Sequence, residues 1–250
     1  MQQANDMQHT PGLRRAAAPA QSAPARGRLV VDAPMRAFHW LLALSFAGAW
    51  LTADGERWRA LHVTLGYTMI GLLAFRVLYG LLGPRHAGLG AMWRRLAGLP
   101  AWLRGALRSR SPFDVDWRQG QNLMMTLAVA ALLVAVVPLV LSGYATFNEW
   151  GGDWLEDVHE FFADLFLAVV IAHLAGIAGL SLLRRRNHAL PMLTGRVAGA
   201  GPDLVKRNRA WLAALLLAAV LAFAAWDLRQ APDELVPASV PRTDVVARAS

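Results

Sequence analysis

Residues 156–178 read EDVHEFFADLFLAVVIAHLAGIA, an apolar run that contains two histidines, His159 and His173. The run is long enough for a helix that crosses a bilayer, which needs about 20 residues. The histidines are 14 residues apart, so on a helix they lie about 21 Å apart along the axis and within about 40° of the same face. Titratable side chains inside a membrane are costly and mark functional sites. The stretch therefore predicts a membrane helix that presents two imidazoles to the same neighbours at two depths.

The composition also favours a membrane protein. Of the 250 residues 56% are hydrophobic, and they are gathered in long blocks separated by Arg-rich stretches. The net charge of +8 is compatible with a nucleic-acid or a membrane partner. The basic residues flank the apolar blocks, however, and no nucleic-acid-binding motif is present, so we expect membrane lipid and no nucleic acid. The absence of Cys excludes disulfides, thiolate metal sites and covalently attached c-type haem.

The apolar blocks predict an all-α membrane protein. Five segments are long enough to cross a bilayer: residues 36–53, 60–82, 121–142, 158–183 and 210–227. The loop 84–120 alternates Trp, Leu and Arg and predicts short amphipathic helices on the membrane surface. Residues 1–28 and 229–250 are expected to be disordered tails. The expected fold is a transmembrane four-helix bundle with a fifth transmembrane helix.

The distribution of Lys and Arg predicts the orientation of the chain. With the N-terminus in the cytoplasm, 19 basic residues lie on the inner side and 5 on the outer side. Basic loops remain on the cytoplasmic side of a membrane. We therefore expect a cytoplasmic N-terminus, a periplasmic C-terminus after five spans, and a location in the bacterial inner membrane.

Four histidines lie in the predicted spans, and this orientation places them at two depths. His39 and His173 lie toward the cytoplasm, whereas His62 and His159 lie toward the periplasm. Two pairs of imidazoles, each contributed by two helices, are what two haems need when each iron takes one imidazole from either side. The sequence therefore predicts two b-type haems, one held by His39 with His173 and the other by His62 with His159.

Small and basic residues on the same helices support this interpretation. Gly66 and Gly176 each follow a predicted ligand by about one turn, where a flat ring can approach the backbone. Arg76 lies 14 residues after His62, on nearly the same helix face and at the cytoplasmic depth. Because a buried arginine needs an anionic partner, Arg76 is predicted to bind a haem propionate, with Arg36 as a second candidate. The alternative left open is that Arg76 extends to the inner lipid headgroups.

Over residues 29–195 the chain resembles the bacterial cytochrome b561 and nickel-hydrogenase b-type cytochrome family. The stretches that carry the resemblance are RAFHW (36–40), LHVTLGY (61–67), FRVLYGLLGPRHA (75–87) and VHEFFADLFLAVVIAHLAGI (158–177). A fifth span, here within a linker-and-helix segment 196–228, is similar to the hydrogenase-type members. The chain departs from the family at GQNLMM (120–125). There Gln121 and Leu123 occupy the His and Pro positions of a G-H-N-P segment, which leaves the electron acceptor open.

The resemblance implies a dihaem cytochrome that carries electrons between a redox partner protein and membrane quinone. The expected partner is a c-type cytochrome, a hydrogenase or another dehydrogenase, and a homodimer is also compatible with the sequence. The outer loop 143–157 contains four acidic residues and no Lys or Arg, which suits a basic partner. The same composition also follows from the ordinary exclusion of basic residues from outer loops.

Two alternative functions remain open at the level of sequence. The first is a stand-alone quinone-reducing enzyme of the same family, for example one that oxidises superoxide. The second is a non-haem membrane transporter or proton relay, in which the histidines bind another metal or pass protons. Matched depths disfavour a relay, because a relay needs groups spaced as a ladder across the membrane.

Overall fold

The computed structural model describes residues 27–84, 88–199 and 201–231. Over these residues the chain forms eight α-helices: α1 (Ala33–Leu51), α2 (Arg59–Leu82), α3 (Leu89–Leu96), α4 (Leu99–Arg108), α5 (Trp117–Phe147), α6 (Trp154–Arg184), α7 (Leu190–Thr194) and α8 (Ala210–Gln230). Two short strands, β1 (Arg28–Leu29) and β2 (Arg196–Val197), pair in an antiparallel manner. The predicted all-α membrane fold is confirmed. The two predicted disordered tails lie almost wholly outside the described residues.

The number of spans differs from the sequence expectation of five. Among the described residues, four helical segments are long and apolar enough to cross a membrane: Glu56–Leu82, Trp117–Phe147, Trp154–Arg184 and Ala210–Gln230. The predicted span 36–53 forms as α1, a helix of 19 residues, but it is not one of the four. Its charged Arg36 and polar His39 lower its mean hydropathy. The helix nevertheless belongs to the bundle, because it packs against α2 and α8.

Helices α1, α2, α5 and α6 meet around one apolar cluster. The cluster consists of Phe46, Met69, Ala135, Val136, Leu139, Val140 and Phe166, so every one of the four helices contributes to it. The ring centroids of Phe46 and Phe166 are 4.5 Å apart, which brings α1 against α6 at this level. Many large apolar side chains on the outer faces are exposed, as expected for helices that contact lipid. The fifth helix, α8, packs outside the cluster on α1 and α2.

The helix starts follow local capping rules. The Asp32 carboxylate accepts from the Met35 N–H at 3.3 Å at the start of α1, and the Asp116 carboxylate accepts from the Gln119 N–H at 3.0 Å at the start of α5. Both are side-chain oxygens at the position that caps a helix N-terminus. Pro138 lies inside α5 and removes one helical hydrogen bond there. The predicted amphipathic pieces of the loop 84–120 correspond to the short helices α3 and α4.

The segments before α1 and before α8 are bonded to each other. The Asp203 carboxylate accepts from the Leu29 N–H at 2.6 Å, and the Asn208 carbonyl accepts from the Ala33 N–H at 3.1 Å. Asp32 is 0% exposed, and its carboxylate accepts from the Tyr79 hydroxyl of α2 at 2.5 Å. The first two bonds hold the segment before α8 against the start of α1, and the third links the start of α1 to the end of α2. The fifth helix is therefore fixed to the bundle by polar contacts as well as by packing.

Candidate functional site

His62 and His159 lie next to each other near one end of the bundle. Their ring centroids are 6.2 Å apart and their planes cross at 80°. Each lies within the first two turns of its helix, so α2 and α6 run in the same direction. Both side chains are half-buried. The structure therefore brings together two of the histidines that the sequence placed at one depth. We refer to them as the outer pair, after the predicted orientation.

Backbone carbonyls fix the protonation of both imidazoles in the outer pair. Nδ1 of His62 lies 2.9 Å from the carbonyl oxygen of Ala49, and Nδ1 of His159 lies 3.0 Å from that of Leu139. A carbonyl oxygen only accepts, so each Nδ1 carries the hydrogen, and in the neutral ring Nε2 then has the lone pair. Ala49 is near the end of α1, and its carbonyl also accepts from the N–H of Thr52 at 3.2 Å. Both histidines thus have the hydrogen-bonded form typical of metal ligands.

The spacing of the outer pair suits one metal ion between the two rings. An imidazole nitrogen binds a first-row metal at about 2 Å and lies about 1 Å from its ring centre, so two rings on opposite sides of a metal have centroids about 6 Å apart. The observed 6.2 Å agrees. Among the described residues, no group of three or more His, Asp or Glu is arranged to hold a metal ion. Two imidazoles with no further protein ligand fit an iron whose other ligands come from a porphyrin.

Gly143 on α5 is a residue of this site that sequence reasoning missed. A Cβ added there would lie 2.7 Å from Cε1 and 2.9 Å from Nδ1 of His159. The ring of His159 therefore lies directly against the α5 backbone, next to Ser142, whose Oγ is 3.4 Å from Nδ1. The only sequence signal was a pair of small residues, Ser142 and Gly143, at the end of a bulky apolar run.

His39 and His173 lie at the other end of the bundle and form the inner pair. Their side chains are half-buried. Nδ1 of His173 is buried and has no hydrogen-bond partner within the described part of the chain. The ring of His39 packs edge-on against Trp40, with centroids 5.4 Å apart. The structure thus brings the inner pair to one level, but hydrogen bonds do not fix its protonation as they do for the outer pair.

The apolar cluster lies midway between the two histidine pairs. Phe46, Met69 and Phe166 each lie seven residues from a histidine of their own helix, and Phe166 is halfway between the two histidines of α6. Seven residues of helix correspond to about 10 Å along the axis. The contact of Phe46 with Phe166 therefore sets the register of α1 against α6. That register places His39 and His173 on the same side of the cluster.

The two glycines that the sequence associated with haem packing differ in their surroundings. A Cβ added at Gly66 would meet no atom within 4 Å, whereas one added at Gly176 would lie 3.5 Å from Sδ of Met125. The space beside Gly66 thus accommodates a flat group near the outer pair. Beside Gly176 the Met125 side chain already occupies part of that space.

The two predicted propionate-binding arginines both keep an unsatisfied donor. Arg76 is 6% exposed, and its Nη1 is buried without a partner among the described residues, as is Nε of Arg36. Nη1 of Arg36 donates to the Leu193 carbonyl at 2.7 Å. Nη1 of Arg76 lies 2.6 Å from the position of a Cβ added at Gly80, so the side chain runs along α2. The free donor of Arg76 suits an anion, as the predicted propionate contact requires.

Comparison with known proteins identifies a family for most of the chain. Residues 30–195 match the family model described as prokaryotic cytochrome b561. No curated protein and no solved structure matches the chain. The matched region is about two thirds of the chain. It contains both histidine pairs and helices α1 to α7, and it ends before α8.

Proposed function

Because the chain belongs to the prokaryotic cytochrome b561 family, we propose that it is a dihaem b-type cytochrome of the bacterial inner membrane. In this proposal it carries electrons across the membrane between a redox partner protein and the quinone pool. Family membership itself indicates a b-type membrane cytochrome that functions in electron transfer. Beyond family membership, we propose that the chain binds two haems through the two histidine pairs, and that it exchanges electrons with a partner protein and with quinone.

The outer histidine pair is the observation that carries the proposal. Two imidazoles 6.2 Å apart, each with Nδ1 bonded to a carbonyl, leave two Nε2 atoms for one iron. When bound, a b-type haem supplies one-electron redox chemistry. His62 and His159 would hold its iron, and the bonds to Ala49 and Leu139 would keep the rings in position and raise their basicity. The apolar cluster lies between this site and the inner pair.

The haem content of the purified protein tests the proposal directly. A dithionite-reduced minus oxidised spectrum, together with a pyridine haemochrome assay, is expected to give two b-type haems for each chain. A value of one haem for each chain would mean that one of the two histidine pairs does not bind haem. A protein without haem, purified from cells supplied with a haem precursor, would refute it.

Arg76→Leu is expected to affect the inner haem alone. Removing a positive charge disfavours the reduced, more negative state of a nearby iron. A unit charge about 10 Å away contributes about 1–2 kcal/mol at an effective dielectric constant of about 20, so the inner potential should fall by roughly 50–100 mV. Potentiometric titration measures both potentials. Arg108→Leu, which alters an exposed arginine of α4, is the control. Equal shifts of the two haems in Arg76→Leu would contradict the assignment.

A cavity between α2 and α8 supports the quinone part of the proposal. It has a volume of about 320 Å³, and its lining includes the aromatic residues Phe75, Tyr79 and Trp211 and the cation of Arg209. Apolar and aromatic walls with a few polar groups are typical of small-molecule sites. The ring of Phe75 is 6.5 Å from that of Phe38, the residue next to His39. We therefore assign the proposed quinone to this cavity, on the side of the inner pair.

The exposed acidic residues of the outer loop support a basic partner protein. Helix α5 ends at Phe147 and α6 begins at Trp154, and the carboxylates of Glu149 and Asp153 in the loop between them are exposed. Replacing both with Lys is expected to slow reduction by a basic c-type cytochrome about tenfold at low salt, because charge complementarity mainly sets the association rate. Stopped-flow kinetics measures the rate.

The matched control for this loop variant is Asp114→Lys, which reverses an exposed charge on the opposite side of the membrane in the predicted orientation. The difference between the loop variant and the wild type should disappear at high salt, because exposed charges are then screened. Equal rates at low salt would exclude this loop as the docking surface.

A further inference from the structure

A second cavity lies where α6 ends, apart from both histidine pairs. Its volume is about 280 Å³, and it is lined by Arg184, Arg186, Asn187, His188, Pro191 and Val197. Two of these side chains are guanidinium groups, and no Asp or Glu is among the described residues that line the cavity. The cavity is therefore rich in hydrogen-bond donors and has no carboxylate to receive them.

Local hydrogen bonds leave polar groups without partners beside this cavity. Oδ1 of Asn187 accepts from the N–H groups of Ala189 at 2.9 Å and Leu190 at 3.1 Å, so the amide NH₂ group of Asn187 remains available to donate. Nε2 of His188 is buried and has no hydrogen-bond partner in the part of the chain that the structure describes. A buried polar atom without a partner costs free energy, and an acceptor inside the cavity would remove that cost when Nε2 carries the hydrogen.

The backbone around these donors is held in place. Oγ of Ser181 accepts from the His188 N–H at 3.0 Å, and the carbonyl of Ser181 accepts from the Arg186 N–H at 3.1 Å. Arg184 donates through one nitrogen to Oε1 of Gln121 on α5, which orients its guanidinium group. The donors thus belong to a turn that is already formed, so little ordering is needed when an anion binds.

We propose that this cavity binds a phosphate group, either in the headgroup of an anionic phospholipid or as free phosphate. Phosphate offers acceptors in several directions and carries negative charge, and arginine forks match its geometry. The cavity begins 11 residues after His173, which is about 16 Å further along the helix. In the predicted orientation this is the cytoplasmic membrane surface, where basic pockets between helices take lipid headgroups. The site does not depend on haem.

Binding of phosphatidylglycerol to the purified holoprotein tests the lipid source. Native mass spectrometry in detergent compares wild type, Arg186→Gln, the pair Arg186→Gln with His188→Gln, and the control Arg108→Gln. Wild type and control are expected to bind phosphatidylglycerol at least tenfold more tightly than the double variant, since each hydrogen bond to a charged group contributes strongly. Phosphatidylcholine with the same acyl chains has a headgroup without net charge. Its affinity should therefore differ less between wild type and the variants than that of phosphatidylglycerol.

A parallel titration with inorganic phosphate against chloride at equal ionic strength tests the soluble source. The unfolding temperature of wild type should rise with phosphate, and that of the double variant should not. A response to phosphate without one to phosphatidylglycerol would assign the site to free phosphate. Equal binding of both ligands by wild type and the variants would overturn the proposal. Loss of haem absorbance in Arg186→Gln, with unchanged lipid and phosphate binding, would also overturn it, because these residues would then serve the haem.

Discussion

His62→Ala is expected to remove one of two haems, and His39→Ala to remove the other. Each substitution should lower the pyridine haemochrome value from two haems per chain to one and leave about half of the reduced-minus-oxidised absorbance. The reason is that each iron would lose one of its two protein ligands, and the described residues provide no third ligand at either level. The two variants should retain spectral components with different potentials.

The pairing is tested by double substitution. His159→Ala should remove the same component as His62→Ala, and the double variant should lose no more haem than either single variant. His39→Ala combined with His62→Ala should lose both haems. Thr126→Ala, which removes a hydroxyl that donates to the Asn122 carbonyl of the same helix, is the control and should keep both. The pairing is wrong if His62→Ala and His159→Ala together lose two haems.

Gly143→Ala is expected to reduce the occupancy of the outer haem by half or more. The added Cβ would lie 2.7 Å from Cε1 of His159, which is closer than unbonded carbon atoms approach. The ring must then rotate away from α5 and lose its bond to the Leu139 carbonyl, so it would no longer be held in position to bind an iron. Because the ring can move into space that the haem would otherwise fill, the chain itself should still fold and insert.

The measurement for Gly143→Ala is the haem content of each spectral component in protein of unchanged yield. The control is Gly179→Ala on α6, because a Cβ added at Gly179 meets no atom within 4 Å and the backbone change is the same. Both haems should persist in the control. Full occupancy of the outer haem in Gly143→Ala would show that the ring of His159 does not depend on this close approach.

Several features of the fold could be read from the chain because they are local. The apolar runs predicted α2, α5, α6 and α8 at nearly their observed positions, since the length of an apolar segment is a property of consecutive residues. The same criterion predicted α1 as a span, and α1 is less apolar than the other four because it contains Arg36 and His39. Those two polar residues are tolerated because α1 packs against α2 and α8, and a helix so covered needs less apolar surface than a lone span.

The sequence by itself determined the two histidine levels. The interval of 14 residues in α6 fixes both the helix face and the depth of the two histidines, because helix geometry repeats along one chain segment.

The tertiary structure decided what surrounds each histidine. The carbonyls of Ala49 and Leu139 are 13 and 20 residues from the imidazoles that they orient, and Gly143 contacts His159 from a different helix. Such contacts depend on how side chains of separate helices interdigitate, and no spacing along the chain encodes them. The same holds for the basic cavity at the end of α6. Its shape depends on the turn in which Asn187 and Ser181 accept hydrogen bonds from neighbouring backbone N–H groups.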